Sequence, residues 1–437
     1  MADASSIFAL SSGPGRSGVA VIRLSGPAVR DALARMVKAP PKPRYAAFRT
    51  IRHPVTGEAL DGALVIWFEA SSSETGEDVA EFQVHGSRAV IAAVLAALRE
   101  IDGCRLAEPG EFVRRAFENG KVDLAQVEGL ADLVDAETEA QRRQALAQSA
   151  GALSKLYDGW RTRLIEVAAL TEAAIDFSDE GDVSASSFAE ARKRASVLAA
   201  EIAAHLDDGH RGEIVREGYR VALLGAPNAG KSSLLNALAR RDAAIVSAEA
   251  GTTRDVIEVR LDLGGLPVIV SDTAGIREAM SDVEREGIRR SLAAARDADL
   301  VVWLMAPGDS TQPLGISRET SLAIRSKADL AGDSKFDGLA ISALTGEGLD
   351  RLVAEISQRA RNAVGARTEP ALTQARHRQS LEAAKGEIAA FLEGSSEAIE
   401  LRAEDVRRAA HAIGRIIGRV DVEDVLDQIF GRFCIGK

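Results

Sequence analysis

A glycine-rich segment in the middle of the chain sets the strictest limit on its fold. GAPNAGKSS at 225–233 follows the apolar run YRVALLG (219–225) and leads into the helix-forming stretch SSLLNALAR (232–240). It fits G-x-x-x-x-G-K-[ST] and lies between a predicted strand and a predicted helix, the context that this pattern requires. Its glycines let backbone N–H groups surround a polyphosphate at a helix N-terminus. The sequence therefore predicts a P-loop domain with a mostly parallel sheet.

Two side chains of this loop have predicted roles in nucleotide binding. Lys231 brings positive charge to the β- and γ-phosphates, and the Ser232 hydroxyl can ligate Mg²⁺. A turn that matches the pattern by chance is the alternative, and the flanking strand and helix argue against it. The predicted nucleotide contacts of the loop are Asn228, Ala229, Gly230, Lys231, Ser232 and Ser233.

Two later segments match further parts of a nucleotide site. DTAG at 272–275 ends an apolar run, and its Asp272 can hold the shell of Mg²⁺ while Gly275 offers a backbone N–H to the γ-phosphate. AGTTRD at 250–255 is a polar loop in which Thr253 is the candidate Mg²⁺ ligand. For this second segment an ordinary surface turn remains the alternative.

The base preference depends on SKAD at 326–329, which follows a short apolar stretch. The carboxylate of Asp329 can accept N1–H and N2–H of guanine, a donor pair that adenine does not present. We therefore expect GTP in preference to ATP. SALTGEG at 342–348 adds Ser342 and Ala343 as contacts for the guanine carbonyl, with a glycine-rich turn as the alternative.

The motifs allow two interpretations of the residue that activates the attacking water. Position 276 is Ile, so the side chain that orients the attacking water in Ras-like proteins is missing. Glu284, in the helix-forming stretch DVEREG (282–287), offers a carboxylate that acts directly or through a second water. An exposed helical glutamate without a catalytic role is the other interpretation.

The pattern of apolar residues predicts several domains. Short β-rich runs alternate with helical stretches up to about residue 118, and from Val122 to about His205 apolar residues recur at helical spacing. Strand-length runs then alternate with helices, and helical spacing returns after about residue 368, so an α/β domain is inserted in a discontinuous helical domain. The predicted segments are an α+β domain at 1–118, helical halves at 119–212 and 368–437, and the P-loop domain at 213–367.

Composition excludes several classes of protein. The 437 residues are 46% hydrophobic, and 54 Lys+Arg stand against 65 Asp+Glu, a net charge of −11. This apolar share excludes a disordered chain, and the acidity argues against a protein that coats nucleic acid by bulk charge. Two cysteines support neither a disulfide framework nor a zinc site. With no apolar run long enough for a bilayer, we expect a cytoplasmic protein without a membrane partner.

Longer matching segments extend over the whole chain. They are VAVIRLSG (19–26), TGEDVAEFQVHG (75–86), PGEFVRRAFENGKVDLAQVEGLADLVDA (109–136), AAIDF (173–177), GAPNAGKSSLLNAL (225–238), AGTTRD (250–255), DTAGIRE (272–278) and the terminal FCIGK (433–437). On these segments the chain resembles the bacterial tRNA-modification GTPase family, MnmE/TrmE, over essentially its full length. The combination is far more specific than a generic GTPase signature.

The resemblance implies a fold and an activity. It implies an N-terminal domain that binds tetrahydrofolate and dimerises, a discontinuous helical domain and an inserted Ras-like G domain. Members act on tRNA with MnmG, an FAD- and NADH-dependent partner, in a heterotetramer or larger complex. They install aminomethyl or carboxymethylaminomethyl groups at C5 of wobble uridine 34. GTP hydrolysis accompanies the modification, activated by potassium-dependent pairing of two G domains.

The resemblance also implies roles for individual residues. Mg²⁺ would be held by Ser232 and Thr253 with Asp272 behind them, and K⁺ by Asn228, Ser247, Glu249 and Thr252. Glu284 matches the catalytic carboxylate, with Lys231 as the charged P-loop residue. Contacts to 5-formyltetrahydrofolate or another one-carbon derivative match Arg23, Glu81, Lys121 and Lys437. Beyond the P-loop, the nucleotide contacts are Ser247, Thr252, Thr253, Asp272, Thr273, Ala274, Gly275, Ser326, Lys327, Asp329, Ser342, Ala343 and Leu344.

Two positions need separate comment. Ser326 replaces the usual Asn of the N-K-x-D element, and its shorter hydroxyl reaches less far than an amide. We expect weaker nucleotide affinity with guanine selectivity retained through Asp329. Cys434 lies in the C-x-G-K ending near the predicted folate site, and an inert thiol is an alternative to a catalytic one.

Two functional hypotheses follow from the sequence. The first is an enzyme subunit that hydrolyses GTP and binds folate within the wobble-uridine modification complex. The second is a regulatory GTPase switch that signals to ribosome or stress factors with no part in modification. The matches at the folate residues and the C-x-G-K tail favour the first.

Overall fold

The structure, a computed structural model, describes most of the chain in two compact units. The described residues are 5–13, 15–177, 181–245, 257–272, 297–309, 320–330, 336, 338–365, 370–395, 398–420, 423–433 and 435–436. Unit 1 comprises residues 1–131 and 414–437, and unit 2 comprises residues 132–413. Among the described residues no helix is long and apolar enough to cross a membrane.

Unit 1 is built on a six-stranded sheet. Its strands are β1 (Ser6–Leu10), β2 (Ser17–Ser25), β3 (Ala47–Arg52), β4 (Ala59–Phe68), β5 (Val79–Gly86) and β6 (Cys104–Leu106). The order across the sheet is β3-β4-β5-β2-β1-β6, antiparallel throughout except for the parallel pair β1 and β6. The central strands β2 and β5 pair so that Arg23 lies opposite Glu81.

Alternation along the central strands places apolar side chains on one face of the sheet and Arg23 and Glu81 on the other. Ile22 and Leu24 of β2 and Phe82 of β5 are fully buried in one apolar cluster. The helices α1 (Val29–Val37) and α2 (Arg88–Arg99) add side chains to that cluster. Because successive side chains of a strand point to opposite faces, Arg23 and Glu81 lie on the face away from these helices.

The remaining helices of unit 1 form a second apolar cluster. They are α3 (Glu111–Glu118), α4 (Leu124–Val134), whose last residues enter unit 2, and α13 (Glu423–Phe430). Phe430 packs against Phe117, with ring centroids 6.2 Å apart. The chain end returns to the sheet, since Ile435 bridges to Pro109 and a Cβ at Gly436 would lie 2.1 Å from the Leu10 carbonyl oxygen.

Unit 2 contains helices before, within and after its sheet, and the longest have 25 and 26 residues. They are α5 (Glu139–Ser149), α6 (Ala152–Asp176), α7 (Gly181–Leu206), α8 (Arg211–Glu217), α9 (Lys231–Ala239), α10 (Leu349–Val364), α11 (Ala375–Glu393) and α12 (Ile399–Ile416), which ends in unit 1. A capping box at Thr138 and Gln141 starts α5. The helix α7 packs against both α6 and α11, so segments far apart in sequence share one helical layer.

The sheet of unit 2 is mostly parallel, as predicted. Its strands are β7 (Tyr219–Gly225), β8 (Ile257–Asp262), β9 (Pro267–Asp272), β10 (Leu300–Met305), β11 (Ser321–Arg325) and β12 (Leu339–Ala340). The order is β12-β11-β10-β7-β9-β8, and only the edge strand β8 runs antiparallel to its neighbour. Side chains of β7, β9 and β10 are buried together with Leu234 and Leu238 of α9.

These elements confirm the predicted fold class, with one local correction. The apolar run YRVALLG forms β7, and later strand-length apolar runs form β9 and β10. The helical spacing of apolar residues that returns after about residue 368 continues to Val420, whereas α12 ends at Ile416. Gly418 has φ 77°, a conformation that favours glycine and lies outside a helix.

Candidate nucleotide-binding site

The glycine-rich loop joins the end of β7 to the start of α9. Gly225 pairs with Leu304 of β10, and a Cβ at Gly225 would lie 2.4 Å from the Leu304 carbonyl oxygen. Asn228 and Gly230 have φ of 61° and 95°, in the left-handed region that glycine and asparagine tolerate. The loop therefore curves tightly and directs the first N–H groups of α9 toward the space it encloses.

Lys231, the first residue of α9, lies inside this curve. The residue is only 8% exposed. Its Nζ donates hydrogen bonds to the carbonyl oxygens of Gly225, at 2.9 Å, and Ala226, at 3.1 Å. Burial lowers the pKa of the Lys231 ammonium, and the nearby Asp272 carboxylate opposes that shift. The loop thus holds a partly desolvated cation, where charge acts more strongly than in water.

Ser232 and Asp272 form the polar pair beside this lysine. The Ser232 hydroxyl donates to Asp272 Oδ2 at 2.6 Å, and Asp272 is fully buried. Asp272 ends β9, and that strand pairs in parallel with β7 so that Leu223 lies opposite Asp272. Because the carboxyl ends of parallel strands meet at one edge of a sheet, the two motifs come together there.

The predicted base-binding segment adjoins the same loop. Ser326 follows β11 and is 4% exposed, with its backbone N–H and its hydroxyl both donating to the Met305 carbonyl oxygen, at 2.9 and 3.2 Å. A Cβ at Gly230 would lie 3.9 Å from Ser326 Cβ, so this position faces the glycine-rich loop. Asp329 lies in the short turn Ala328–Leu330 and is exposed.

A second loop lies beside that turn. Ser342 is fully buried, and its Oγ accepts the Thr345 N–H at 3.2 Å while its carbonyl oxygen accepts the Gly346 N–H at 2.9 Å. The Ala328 N–H donates to the Ile341 carbonyl oxygen at 3.0 Å, which ties the two segments together. Leu344 is 86% exposed and contributes no buried apolar wall.

Several predicted site residues lie outside the described part of the chain. They are Ser247, Glu249, Thr252, Thr253, Thr273, Ala274, Gly275, Glu284, Cys434 and Lys437. The predicted nucleotide contacts that the structure describes lie at or after the carboxyl ends of strands β7, β9, β11 and β12. They are Asn228, Ala229, Gly230, Lys231, Ser232, Ser233, Asp272, Ser326, Lys327, Asp329, Ser342, Ala343 and Leu344. In the described residues no group of three or more His, Cys, Asp or Glu could hold a metal ion. A hydroxyl and one carboxylate nevertheless suit Mg²⁺ that also takes phosphate oxygens.

Two of the folate candidates, Arg23 and Glu81, are paired on one face of the unit 1 sheet, and Lys121 contacts a nearby loop. Arg23 donates to Glu81 Oε1 through NH2 at 3.0 Å and through Nε at 3.3 Å. Arg23 also lies over the Phe112 ring, 5.7 Å from its centroid. Lys121 Nζ donates to the Ser71 carbonyl oxygen at 3.0 Å. Two cations and a carboxylate are side chains that can pair with the carboxylates and ring donors of a folate.

Sequence reasoning missed one member of this group. Glu74 forms a salt bridge with Arg23, with Glu74 Oε2 and Arg23 NH1 2.9 Å apart. It immediately precedes the segment TGEDVAEFQVHG that carries the resemblance. No sequence pattern pairs positions 23 and 74, since the contact depends on how the loop folds back over the sheet.

Comparison with protein-family models covers nearly all of the chain. Residues 6–121 match the family described as GTP-binding protein TrmE N-terminus, and residues 124–434 match the MnmE helical domain. A tRNA modification GTPase MnmE from Parvibaculum lavamentivorans is 54% identical, covering 99% of this chain and 99% of that protein. This chain belongs to the MnmE/TrmE family. The resemblance noted in the sequence is thereby confirmed.

Other MnmE proteins are similarly close. A tRNA modification GTPase MnmE from Methylobacterium radiotolerans is 50% identical over 100% of both chains. Among solved structures, the G domain of the T. maritima FeoB iron transporter is 26% identical and covers 32% of this chain and 98% of that chain, with a TM-score of 0.25. Family membership follows from the two family models and the full-length MnmE relatives.

Proposed function

We propose that this member of the MnmE family hydrolyses GTP at the site built from the glycine-rich loop. The observation that carries the proposal is the cluster at the edge of the unit 2 sheet. There a buried Lys231 lies beside Ser232, and the Ser232 hydroxyl is bonded to Asp272 at 2.6 Å. The names of its relatives, tRNA modification GTPases, support the same activity.

The chemistry follows from these side chains. Lys231 stabilises negative charge on the terminal phosphates, and the first N–H groups of α9 add donors to the same oxygens. Ser232 would ligate Mg²⁺ directly, with Asp272 in the second shell of the ion. Mg²⁺, when bound, neutralises charge on the phosphate oxygens. The hydrogen bond to Asp272 keeps the Ser232 oxygen in one orientation. Glu284 is the proposed carboxylate that orients water, by its match to the family motif.

Guanine selectivity is assigned to the segment after β11. The exposed carboxylate of Asp329 would accept the two guanine donors, with Lys327, Ser342 and Ala343 as further contacts. Lys327 has φ 54°, so its backbone turns sharply before the Asp329 turn. Ser326 directs its hydroxyl to the Met305 carbonyl oxygen, which supports the expectation of weakened affinity.

Potassium-dependent pairing of two G domains in a homodimer is a further part of the proposal. Asn228 would ligate K⁺ together with Ser247, Glu249 and Thr252, and the ion would supply positive charge to the reaction. Asn228 lies at the bend of the glycine-rich loop, with φ 61°. Thr253 would complete the Mg²⁺ site.

The N-terminal domain is proposed to bind 5-formyltetrahydrofolate or another one-carbon derivative. Arg23, Glu81, Lys121 and Lys437 are the proposed contacts, and the pairing of Arg23 with Glu81 on one sheet face supports the first two. The bridge from Ile435 to Pro109 supports a tail that reaches unit 1. Cys434 stays a candidate without an assigned step.

With an MnmG-type partner, the chain is proposed to modify C5 of wobble uridine 34 in certain tRNAs. The printed names of its relatives refer to tRNA modification and are the support for this step. We further propose the cytoplasm as its location. The domain boundaries at residues 118, 212 and 367 are likewise proposals.

The experiment that tests the nucleotide assignment is hydrolysis by the purified full chain in K⁺ buffer with Mg²⁺. We expect turnover of GTP and little turnover of ATP at equal concentrations. Comparable turnover of the two nucleotides would contradict the assignment of Asp329, and no turnover of either would contradict the proposed activity.

A further inference from the structure

Arg23 is shared between two carboxylates that differ in their surroundings. Glu81 comes from the neighbouring strand β5 and contacts the Nε and NH2 edge of the guanidinium. Glu74 comes from the loop before β5 and contacts NH1 at 2.9 Å. The Glu81 side chain is 18% exposed, whereas the Glu74 side chain is 53% exposed. Solvent therefore reaches the loop carboxylate far more than the strand carboxylate.

The backbone around Glu74 is held on both sides. Ser73 is 8% exposed and its Oγ accepts the Gly76 N–H at 3.0 Å. Thr75 is fully buried, with its Oγ1 2.8 Å from Ser25 Oγ and its carbonyl oxygen accepting from Asn119 Nδ2 at 2.8 Å. Only the side chain of Glu74 is free to leave Arg23 without unfolding this loop.

The charges around Arg23 oppose an anionic ligand. The Arg23 guanidinium contacts the carboxylates of Glu74 and Glu81, so these three side chains together carry a net charge of −1. A ligand carboxylate that approaches NH1 would meet this charge and a donor already in use. If the Glu74 side chain rotates into solvent, the NH1 donor of Arg23 becomes accessible. The remaining pair, Arg23 and Glu81, then has no net charge.

We propose that Glu74 is an internal competitor of the ligand carboxylate for Arg23, displaced by side-chain rotation when the folate binds. The inference rests on the proposed folate site, and it adds a residue that sets the affinity of that site. Glu81 keeps Arg23 in place during the exchange, because its contact lies on the other edge of the guanidinium. Lys121, which contacts the same loop through Ser71, keeps the loop itself in position.

The test is calorimetric titration of the full chain with 5-formyltetrahydrofolate. Glu74→Gln removes the competing charge and keeps the shape, so we expect roughly three- to tenfold tighter binding than wild type. Because Glu74 is exposed, the gain should shrink as salt is raised. Asp31→Asn is the matched control. It removes one negative charge from an exposed position on α1, a helix of the opposite sheet face, and should leave the affinity unchanged.

The outcomes separate this inference from the folate proposal. Wild type that binds while Glu74→Gln binds equally or more weakly would overturn the competitor role and leave the folate site standing. Weaker binding would mean that Glu74 itself contacts the ligand. If neither chain binds, the folate proposal fails and the inference fails with it. Glu74→Ala checks that the gain comes from loss of the carboxylate, since it should match Glu74→Gln.

Discussion

The Ser232 hydroxyl donates a hydrogen bond to the fully buried Asp272 carboxylate at 2.6 Å. This contact joins the start of α9 to the end of β9, and the Ser232 oxygen is one of the proposed Mg²⁺ ligands. A hydroxyl oriented by a carboxylate needs little rearrangement to ligate a metal. The two motifs therefore act as one site.

Loss of this hydroxyl should abolish most of the activity. We expect Ser232→Ala to lower kcat/KM for GTP by about a hundredfold or more, because a metal ligand is lost where charge develops. Steady-state phosphate release measures this change. Asn236→Ala, an exposed position on the same helix, is the control and should retain the wild-type rate. A Ser232→Ala enzyme as active as the control would exclude Ser232 from the site.

Restoring the usual residue at position 326 should strengthen nucleotide binding. Ser326 faces Gly230, which has no side chain, so the amide of Ser326→Asn can reach the glycine-rich loop. We expect the Kd for GTP to fall by roughly three- to tenfold, about the worth of one added hydrogen bond. Titration with a fluorescent GTP analogue measures it. Ser326→Ala should change the Kd little, because the hydroxyl bonds to Met305. An unchanged Kd in Ser326→Asn would contradict this explanation.

Hydrolysis should depend on the monovalent cation. We expect GTP turnover to be at least about tenfold faster in K⁺ than in Na⁺ at equal ionic strength, because the ion supplies positive charge to the transition state. Asn228→Gly should remove the difference. Glycine accepts the φ of 61° found at this position, so the variant loses the amide without backbone strain. Equal wild-type rates in the two salts would refute the paired-domain mechanism.

A half-buried histidine predicts how stability changes with pH. His205 contacts Tyr157 Oη at 3.2 Å, and burial lowers the His205 pKa from 6.5 to about 4, with Asp208 opposing and Arg211, Arg378 and His377 adding to the shift. On acidification the His205 imidazole is therefore protonated near pH 6.5 in the unfolded chain, but stays neutral in the folded chain until about pH 4. The contribution of His205 to the free energy of unfolding is fully present above pH 6.5. It falls between pH 6.5 and about 4, by up to about 3 kcal/mol.

Calorimetric midpoints at pH 7.5 and pH 5 for wild type and His205→Gln test this linkage. Because other groups also titrate, the quantity of interest is the difference between the two proteins. The unfolding temperature of wild type should fall more between pH 7.5 and pH 5 than that of His205→Gln. An equal loss in both would show that His205 does not titrate on unfolding.

The local features of the site could be predicted from sequence, and the contacts between distant segments could not. The apolar run, the glycines and Lys231 lie within one short segment, so their pattern alone predicts the phosphate-binding loop. Edge strand β8 has no continuous apolar run, but its buried Val259 and Leu261 alternate with charged residues. That alternation is the pattern of a half-buried strand, so β8 also could be predicted from the sequence. The contact of Arg23 with Glu74 depends on a loop that folds over the sheet, which no periodicity records.

The central claim is that GTP hydrolysis by this chain serves tRNA modification, and nucleoside mass spectrometry of tRNA tests it most directly. A strain without the chain should lack the C5 group at uridine 34. Wild type should restore it, and Lys231→Ala, which loses the buried cation of the phosphate loop, should not. Normally modified uridine 34 in the deletion strain would contradict the account and favour a regulatory GTPase instead.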